Sequence, residues 1–336
     1  MRPLIIAHRG ASDLAPENTL AAFRTARSLG ADGVEFDVQL TKDGQLVVAH
    51  DYLTDLKAGV RGNIPDMTFD EVRKLDVGSW KAPEFAGEKV PTPAEVLELC
   101  KDMKMIHIEM KPYLSRNEDV LVDKTLQAIV DAGLEDRAVV TCFQYDLLRK
   151  VKEQMPQIAT CAMSLNMESL FYPAPDEQAL LGLRADDPVL EKLSGPQAAG
   201  EALSLLEQSD ALEEENCALL YFIKDRIDCN YSNFPGLNML QIMQQWYYQI
   251  DFVDYVSQFD FPVDIVGPEY HAFFRDKDTV AKAHAHGWQT APWPAMPDTR
   301  EQLRSLIQMG VDILVTNKPE LAISILTGMG QWDKEG

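Results

Sequence analysis

Two stretches near the start of the chain decide its fold: LIIAHRG, from Leu4 to Gly10, and GVEFDVQLTKDGQLVVAHD, from Gly33 to Asp51. The apolar run that opens the first stretch ends abruptly in His8 and Arg9. This pattern is typical of a short buried strand that presents polar side chains at its carboxyl end. The first strand is therefore predicted to deliver a histidine and an arginine to one place.

The second stretch predicts two strands joined by a tight turn. In VEFDV the side chains alternate between the two faces of a strand, so Glu35 and Asp37 share one face. Neighbouring carboxylates repel each other unless a cation or a proton lies between them. The turn TKDG at 41–44 leads into a strand-like run that ends in His50, and so short a connection makes the strands antiparallel. With a register centred on the turn, His50 is expected near Glu35.

The order and spacing of these motifs resemble those of the glycerophosphodiester phosphodiesterase family. The matching motifs are HRG at 8–10, PENT at 16–19, EFDV at 35–38, TKDG at 41–44 and VVAHD at 47–51. A later motif, IHIEMK at 106–111, is similar to the strand in which that family carries a glutamate and a lysine two residues apart. The resemblance is close over residues 4–51 and 105–112, loose over 137–165 and 263–322, and absent over most of 166–258.

Strands and helices alternate along most of the chain, which indicates an α/β fold with a mainly parallel sheet. About nine strands are predicted, one more than a (β/α)8 TIM-type barrel needs, and the hairpin accounts for an antiparallel one. The best interpretation is a single, slightly irregular (β/α)8 barrel over residues 1–336. Insertions are expected on its catalytic face at 51–92, after the His-Asp motif, and at 166–258, a large segment atypical of the resembled family.

Three carboxylates are candidate metal ligands. Glu35 and Asp37 share a strand face, and Glu109 lies where a later strand ends. Carboxylate oxygens suit hard cations such as Mg²⁺ or Ca²⁺. From spacing alone, salt bridges from Glu35 and Asp37 to arginines explain the pattern equally well. The resemblance implies one divalent cation, Mg²⁺ or Ca²⁺, held by all three side chains.

His8 and His50 are the candidate acid–base pair, because imidazole titrates near neutral pH. Either histidine alone would more often be structural, but the resemblance implies that both are catalytic. Arg9 offers a planar fork for phosphate oxygens and Lys111 a point charge, so both are expected to bind substrate. The alternative for Lys111 is an ion pair with Glu109, two residues away on the same strand face.

Four further residues have candidate supporting roles. Glu17 and Asn18 lie in the PENT motif, and we expect them to brace the metal ligands through hydrogen bonds rather than to bind metal. Trp293 is expected to line the pocket beside the non-phosphate half of the substrate. His107 shares the strand face of the metal ligands at a deeper position, where a structural role is the better interpretation.

Two motifs depart from the resembled family. The family commonly has W-T-V-N where this chain has Trp293-Pro294-Ala295-Met296, and T-D-x-P where it has Thr316-Asn317-Lys318-Pro319. The catalytic chemistry is expected to survive these changes, whereas the leaving group that is recognised is expected to differ.

Composition limits the partners. A formal charge of −22 argues against nucleic acid and against stable association with an anionic membrane. The five cysteines form no CxxC pair, and no apolar leader or membrane-spanning run is evident, so a cytoplasmic location is expected. Residues 166–215 carry 12 acidic and two basic residues. Residues 217–261 are aromatic and amide-rich, which suggests either a pocket roof or a homo-oligomer interface.

These observations together predict a metal-dependent phosphodiesterase that acts on a small phosphodiester. The expected reaction converts a glycerophosphodiester to sn-glycerol 3-phosphate and an alcohol, with water or an adjacent substrate hydroxyl as nucleophile. One alternative is a lysophospholipase D-like phosphodiesterase in which residues 217–261 accept an acyl chain. The other is a non-catalytic phosphodiester-binding protein, against which His8 and His50 argue because binding alone needs no acid–base pair.

Overall fold

Within the described residues, the apolar runs of the sequence form eight parallel strands that close almost completely into a barrel. The computed structural model describes residues 2–112, 117–164, 184, 187–192, 204, 251–294 and 298–332. The parallel strands are β1 (Leu4–His8), β2 (Gly33–Leu40), β4 (Met105–Met110), β5 (Ala138–Cys142), β6 (Ala159–Ser164), β7 (Ile265–Pro268), β8 (Gln289–Thr290) and β9 (Ile313–Thr316). The antiparallel strand is β3 (Leu46–Val48), which pairs with β2. The expected slightly irregular (β/α)8 barrel is confirmed.

The strands follow the order β8-β7-β6-β5-β4-β2-β1-β9 around the barrel. Hydrogen bonds rather than a strand ladder connect the two ends of this order. The Val315 amide donates to the Pro292 carbonyl at 3.1 Å, and the Thr290 amide donates to Asp312 Oδ2 at 2.8 Å. These hydrogen bonds join β8 and β9, the two ends of the strand order, and so nearly close the barrel.

The register of β1, β2 and β4 brings polar side chains into rows. His8 pairs with Glu35, which pairs with His107, and Asp37 pairs with Glu109. Paired residues on neighbouring parallel strands point to the same face of a sheet. All five side chains are buried, so they line the barrel interior on one side.

Helices cover the outside of the barrel and cap the connections. They are α1 (Leu20–Leu29), α2 (Asp55–Ala58), α3 (Phe69–Val72), α4 (Pro93–Cys100), α5 (Glu118–Ala132), α6 (Tyr145–Gln154), α7 (Pro188–Lys192), α8 (Phe252–Val256), α9 (Tyr270–Arg275), α10 (Thr279–Ala285), α11 (Arg300–Met309) and α12 (Pro319–Gly328). Both ends of α1 have typical capping residues. The Thr19 hydroxyl accepts a hydrogen bond from the Ala22 amide, and Gly30 ends the helix with a φ of 82°.

Apolar side chains fill both faces of the barrel wall. On the outer face, Phe36 and Ile108 pack with helical residues such as Phe23 and Leu97. The inner face has its own apolar cluster, whose buried members all come from the strands and the segments that follow them: Ile6, Val139, Cys161, Met163, Ile265, Ala291, Trp293, Ile313 and Val315. Among the described strand residues, the histidine, aspartate and glutamate side chains of the inner face come from β1, β2 and β4, so the candidate site lies on that side of the barrel.

The hairpin between β2 and β3 differs by one residue from the turn-centred register. Leu40 pairs with Leu46, and the loop between Thr41 and Gln45 contains three residues. Gly44 has a φ of 71°, the left-handed conformation that a three-residue hairpin loop needs. The extra residue displaces the partner strand by one position. The turn-centred register is thus not observed, and His50 is among the groups that lower the pKa of Asp37.

The two predicted insertions are described to different extents. Residues 51–92 contain α2, α3 and two short 3-10 turns, Ile64–Asp66 and Pro83–Phe85, around a small apolar cluster. Most of 166–258, and most of 217–261, lies outside the described residues. Within 166–258 the described helix α8 buries Val253 and Val256 in the main core, the apolar cluster between the strands and the outer helices. Among the described residues, no helix combines the length and the apolar character needed to cross a membrane.

Candidate active site

A sharp turn after β1 starts the site. Arg9 has a φ of 56° and Gly10 a φ of 82°, so two successive residues adopt the left-handed conformation. A side chain on Gly10 would come within 2.7 Å of Ala22 on α1. The turn directs the Arg9 amide to Glu35 Oε2, at 2.9 Å. A positive φ at a non-glycine residue costs free energy and is common at functional sites.

Three buried carboxylates converge beside this turn. Glu35, Asp37 and Glu109 each offer an oxygen, and the three atoms lie within 4.8 Å of one another. Glu35 Oε1 and Asp37 Oδ1 accept no hydrogen bond from any described residue. Burial, then repulsion from the other two carboxylates, raises the pKa of Glu35 well above its usual value. Burial also raises the pKa of Glu109, to about 7, although Lys111 opposes the shift.

These features fit a site for a hard divalent cation. Buried oxygens without donors are available as ligands, and a cation would relieve the repulsion that raises the two pKa values. Asp37 is the member that stays charged most readily. Burial alone would raise its pKa, but His50, Arg9 and Lys111 outweigh burial and lower it. The three residues that the sequence predicts as metal ligands are thus brought together.

Asn18 contacts the carboxylate cluster directly, whereas Glu17 contacts Arg9 beside it. Asn18 has a φ of 55°, and its Nδ2 donates to Asp37 Oδ2 at 2.8 Å. The Asn18 backbone amide donates to the Arg9 carbonyl at 2.9 Å. Glu17 Oε1 accepts from Arg9 Nη1 at 3.0 Å and from Lys57 Nζ at 2.7 Å. Glu17 therefore orients Arg9, whereas Asn18 orients Asp37.

His8 lies at the carboxyl end of β1 with one ring nitrogen anchored. Its Nδ1 is 2.6 Å from Asn317 Oδ1, and its Nε2 is 3.8 Å from Glu35 Oε2. Burial, followed by the positive charge of Arg9, lowers the pKa of His8 to about 4. The ring is therefore neutral at pH 7 in the absence of bound ligands, and it is able to accept a proton.

His50 is anchored by the residue that follows it. Its Nδ1 is 2.6 Å from Asp51 Oδ1, while Asp51 Oδ2 accepts from Lys57 Nζ at 2.7 Å. Burial, then the charges of Arg9 and Lys111, lowers the pKa of His50 to about 3. The carboxylate of Asp51 opposes this shift.

Glu17, His50 and Asp51 form a second group with the composition of a metal site. Both of its carboxylates are already paired with one ammonium, because Lys57 Nζ lies 2.7 Å from both Glu17 Oε1 and Asp51 Oδ2. The group is therefore an ion-pair network that links α2 to His50. The roles of Asp51 and Lys57 were missed in the sequence, although Asp51 stands in the VVAHD motif.

The predicted phosphate-binding residues are both paired with carboxylates. Lys111 Nζ is 3.1 Å from Glu109 Oε1 and 4.0 Å from Asp37 Oδ1, so the ion pair considered as its alternative is present. Arg9 Nε is 3.4 Å from Asp37 Oδ2. Both cations nevertheless border the carboxylate cluster.

Trp293 and His107 occupy less direct positions. Trp293 Nε1 donates to the Ser164 carbonyl at 3.2 Å, and its ring contacts Phe143 edge to face, with ring centres 5.5 Å apart. Glu269, which follows β7, forms a parallel backbone bridge with Trp293, which follows β8. Glu269 is only 1% exposed. This buried carboxylate was missed in the sequence. His107 Nε2 lies 3.2 Å from Met105 Sδ, consistent with a structural role deep in the barrel.

A pocket opens beside His50 between the catalytic face and the small insertion. Its polar lining includes Glu17, His50 and Asp51, and its apolar lining includes Leu75 and Val77. Residues 51–92 thus form one wall of a cleft at the site, the position expected for an insertion after the His-Asp motif.

Fold and site together define a (β/α)8-barrel protein with a candidate divalent-cation centre and two histidines at the carboxyl ends of its strands. The chain belongs to the glycerophosphoryl diester phosphodiesterase family, whose sequence profile matches residues 8–181. Membership confirms the resemblance drawn from the motifs.

Individual relatives agree with this assignment. A glycerophosphodiester phosphodiesterase of Caldanaerobacter subterraneus subsp. tengcongensis is 43% identical over 159 residues, which are 47% of this chain and 65% of that protein. Human glycerophosphodiester phosphodiesterase 1 is 33% identical over 158 residues, 46% of this chain and 47% of its own. The matched region thus spans from about half to just under two thirds of these curated relatives.

Solved structures with the same fold cover nearly the whole chain. A putative glycerophosphoryl diester phosphodiesterase from Silicibacter pomeroyi has a TM-score of 0.67 at 21% identity, covering 99% of this chain and 96% of its own. An Oleispira antarctica phosphodiesterase, solved in complex with the product sn-glycerol-3-phosphate, has a TM-score of 0.63 at 20% identity and covers 97% of each chain. At these identities the likeness shows the fold alone.

Proposed function

We propose that the protein is a divalent-cation-dependent phosphodiesterase that hydrolyses glycerophosphodiesters to sn-glycerol 3-phosphate and an alcohol. The observation that carries the proposal is the convergence of Glu35, Asp37 and Glu109, with ligand atoms within 4.8 Å, beside His8. Family membership and the relatives' names supply the reaction class. The Oleispira phosphodiesterase, with sn-glycerol-3-phosphate as its product, supports the choice of product.

The three carboxylates would hold Mg²⁺ or Ca²⁺, both of which prefer carboxylate oxygens. When bound, the cation would neutralise the non-bridging phosphate oxygens and the charge that develops on them in the transition state. Arg9 and Lys111 add positive charge at the same border. In a chain with a formal charge of −22, this local concentration of positive charge makes the site suitable for an anionic substrate.

The two histidines supply proton transfer. One takes a proton from the nucleophile, and the other gives a proton to the leaving oxygen. Both rings are fixed through Nδ1, His8 by Asn317 and His50 by Asp51, so Nε2 is the nitrogen left for the substrate. Fixing one nitrogen to orient the other is a common feature of catalytic histidines.

The alcohol half of the substrate would occupy the cleft between His50 and residues 51–92. The cleft combines apolar side chains with a few charged groups, as small-molecule sites usually do. An acyl chain would require a longer apolar channel, to which residues 217–261 would have to contribute. The names of the relatives favour a simple glycerophosphodiester over a lysophospholipid as the substrate.

Turnover measurements separate these functions. Purified protein is incubated with glycerophosphocholine or with lysophosphatidylcholine, with Mg²⁺ or Ca²⁺ and with EDTA, and sn-glycerol 3-phosphate and choline are quantified. Metal-dependent release of sn-glycerol 3-phosphate and choline from glycerophosphocholine is expected. Choline release only from the lysophospholipid would support the lysophospholipase D-like alternative, and binding without turnover would support the non-catalytic one.

A further inference from the structure

Asn317 contacts His8 at the position where the resembled family commonly has an aspartate. It follows β9 at the carboxyl end of the barrel, and its Oδ1 lies 2.6 Å from His8 Nδ1. The same oxygen accepts a hydrogen bond from the Ser12 hydroxyl at 3.1 Å. Because an amide oxygen accepts but does not donate, this contact places a proton on His8 Nδ1.

The Asn317 backbone is fixed by Asp298. Asp298 Oδ2 accepts hydrogen bonds from the Thr316 hydroxyl at 2.6 Å, the Asn317 amide at 2.7 Å and the Lys318 amide at 3.2 Å. On the other side, the Asp13 amide donates to the Asn317 carbonyl at 3.1 Å. The chain around Asn317 is thus held from two directions, and its side chain reaches His8 from a well-defined point.

A proton on Nδ1 leaves Nε2 of the neutral ring as an acceptor. Nε2 has no hydrogen-bond partner in the part of the chain that the structure describes, and Glu35 Oε2 at 3.8 Å is too far away for one. This nitrogen points toward the carboxylate cluster, which is where a substrate phosphate would lie. The opposite tautomer would carry its proton on Nε2 and enter the reaction as a donor.

We propose that Asn317 is a positioning residue that fixes the orientation and the Nδ1-protonated tautomer of His8. The bare Nε2 then accepts the proton of the attacking water or hydroxyl. An amide rotated by half a turn would instead donate from its nitrogen to Nδ1 and leave the proton on Nε2. The kinetic consequence rests on the proposed phosphodiesterase function, whereas the tautomer is a property of the free protein.

Nitrogen NMR tests the tautomer without any substrate. In protein with ¹⁵N-labelled histidine, protonated and bare ring nitrogens differ widely in chemical shift, and the His8 signals are assigned by their loss in His8→Gln. The wild type should show a protonated Nδ1 and a bare Nε2. Asn317→Asp should retain this pattern, and Asn317→Ala should shift the population toward Nε2–H. A protonated Nε2 in the neutral wild-type ring would overturn the proposal.

Kinetics tests the consequence. Asn317→Ala should lower kcat by about 10–100-fold, the usual loss when a residue that orients a functional side chain is removed, with KM changed much less. Asn317→Asp should recover most of the loss. Gln127→Ala, which removes an exposed amide on α5, is the matched control and should have no effect. An unchanged kcat in a folded Asn317→Ala variant contradicts the positioning role. A wild type without turnover refutes the proposed function, and the NMR result still decides the tautomer.

Discussion

At the scale of single residues, the uncompensated charge of the carboxylate cluster leads to a prediction about metal. Glu35→Gln, Asp37→Asn and Glu109→Gln each remove one charged ligand from the group. Loss of a residue that only supports the metal ligands lowers metal affinity by roughly 10–100-fold. Each of these variants removes a ligand itself, so each should weaken Mg²⁺ or Ca²⁺ binding by more than that. Turnover should nearly disappear. Isothermal titration calorimetry measures the affinity.

Glu98→Gln is the matched control for this series, because Glu98 is a largely exposed glutamate that pairs only with Lys101 in the described part of the chain. It should bind metal as the wild type does. Unchanged metal affinity in all three cluster variants would refute the metal assignment. Loss of turnover without loss of affinity would place the carboxylates in another catalytic role.

The histidines give the second prediction at this scale. His8→Ala and His50→Ala should each lower kcat by roughly 10²–10⁴-fold, the usual contribution of a positioned proton-transfer group. Metal affinity should change little, because neither ring belongs to the three-carboxylate group. Steady-state kinetics with saturating metal checks both statements. Full activity in either variant removes that histidine from the mechanism.

The candidate site was predictable from sequence where one motif carries both the residue and its neighbours. His8, Glu35 and Asp37 follow from short strands with alternating side chains. Asn317 did not emerge as a partner of His8, because 309 residues separate the two and only barrel closure brings them together. Lys57 was missed for a related reason, since it comes from a segment whose turns and short helices have no clear period.

At the scale of secondary-structure elements, α2 links the small insertion to the catalytic face. Lys57 on α2 bridges Glu17 and Asp51, and Asp51 holds His50. Lys57→Met keeps the side-chain length but leaves Asp51 without this ammonium. We expect kcat to fall about tenfold, a typical effect for a residue that orients a functional one. The free energy of unfolding should fall by about 1–3 kcal/mol.

Activity assays and urea denaturation measure the two effects of Lys57→Met. Lys42→Met is the control, because Lys42 is an exposed lysine in the β2–β3 loop. Metal affinity should stay at the wild-type value, since α2 provides no member of the three-carboxylate group. Unchanged kcat in Lys57→Met would show that the insertion covers the site without orienting His50.

The loop after β9 gives a prediction about pH. Burial raises the pKa of Asp298 from 3.8 to about 6, although hydrogen bonds from Thr316, Asn317 and Lys318 oppose the shift. The folded protein therefore holds this proton more tightly than the unfolded chain does. The resulting contribution to stability is complete below about pH 4 and is lost as the pH rises through about 6. Two pKa units correspond to roughly 3 kcal/mol.

Comparison of Asp298→Asn with the wild type isolates this contribution. The free energy of unfolding of the wild type, relative to that of the variant, should fall by up to roughly 3 kcal/mol between pH 4 and pH 7. Urea denaturation at each pH measures this difference. Exposed acids titrate alike in both proteins and cancel in the difference. A difference that stays constant with pH would show that Asp298 titrates normally.

Element positions were predictable to different degrees. The parallel strands followed from their apolar runs. The predicted register of the β2–β3 hairpin was wrong by one residue. Composition indicates that Gly44 lies in the turn, but the backbone geometry decides how many residues the loop contains. That single residue shifts β3 by one position along β2.

At the scale of the whole molecule, the alternation of strands and helices was sufficient to predict the barrel, whereas the large insertion predicted over 166–258 is described only in part. The described helix α8 falls inside the segment predicted as insertion, yet it packs on the barrel. Val253 and Val256 are buried in the main core, and Phe252 contacts Tyr145 on α6 with ring centres 6.5 Å apart. An amphipathic helix that returns to the barrel is indistinguishable by composition from the aromatic segment before it. A test of the insertion should therefore leave α8 in place.

We expect residues 166–250 to determine which alcohol group is accepted without contributing to the chemistry, because they follow β6 and so emerge on the catalytic face. The test replaces 166–250 with Gly/Ser linkers of several lengths and retains α8. The variant should still cleave bis(p-nitrophenyl) phosphate, which needs only the carboxylates and histidines, but rank natural glycerophosphodiesters differently.

A second variant that also lacks α8 should lose stability, which separates the packing role of the helix from any role in specificity. Size-exclusion chromatography of the first variant tests whether 217–250 contributes to a homo-oligomer. An unchanged substrate ranking with an altered oligomeric state would assign the segment to assembly, since an insertion that contacts no part of the substrate cannot discriminate between alcohols.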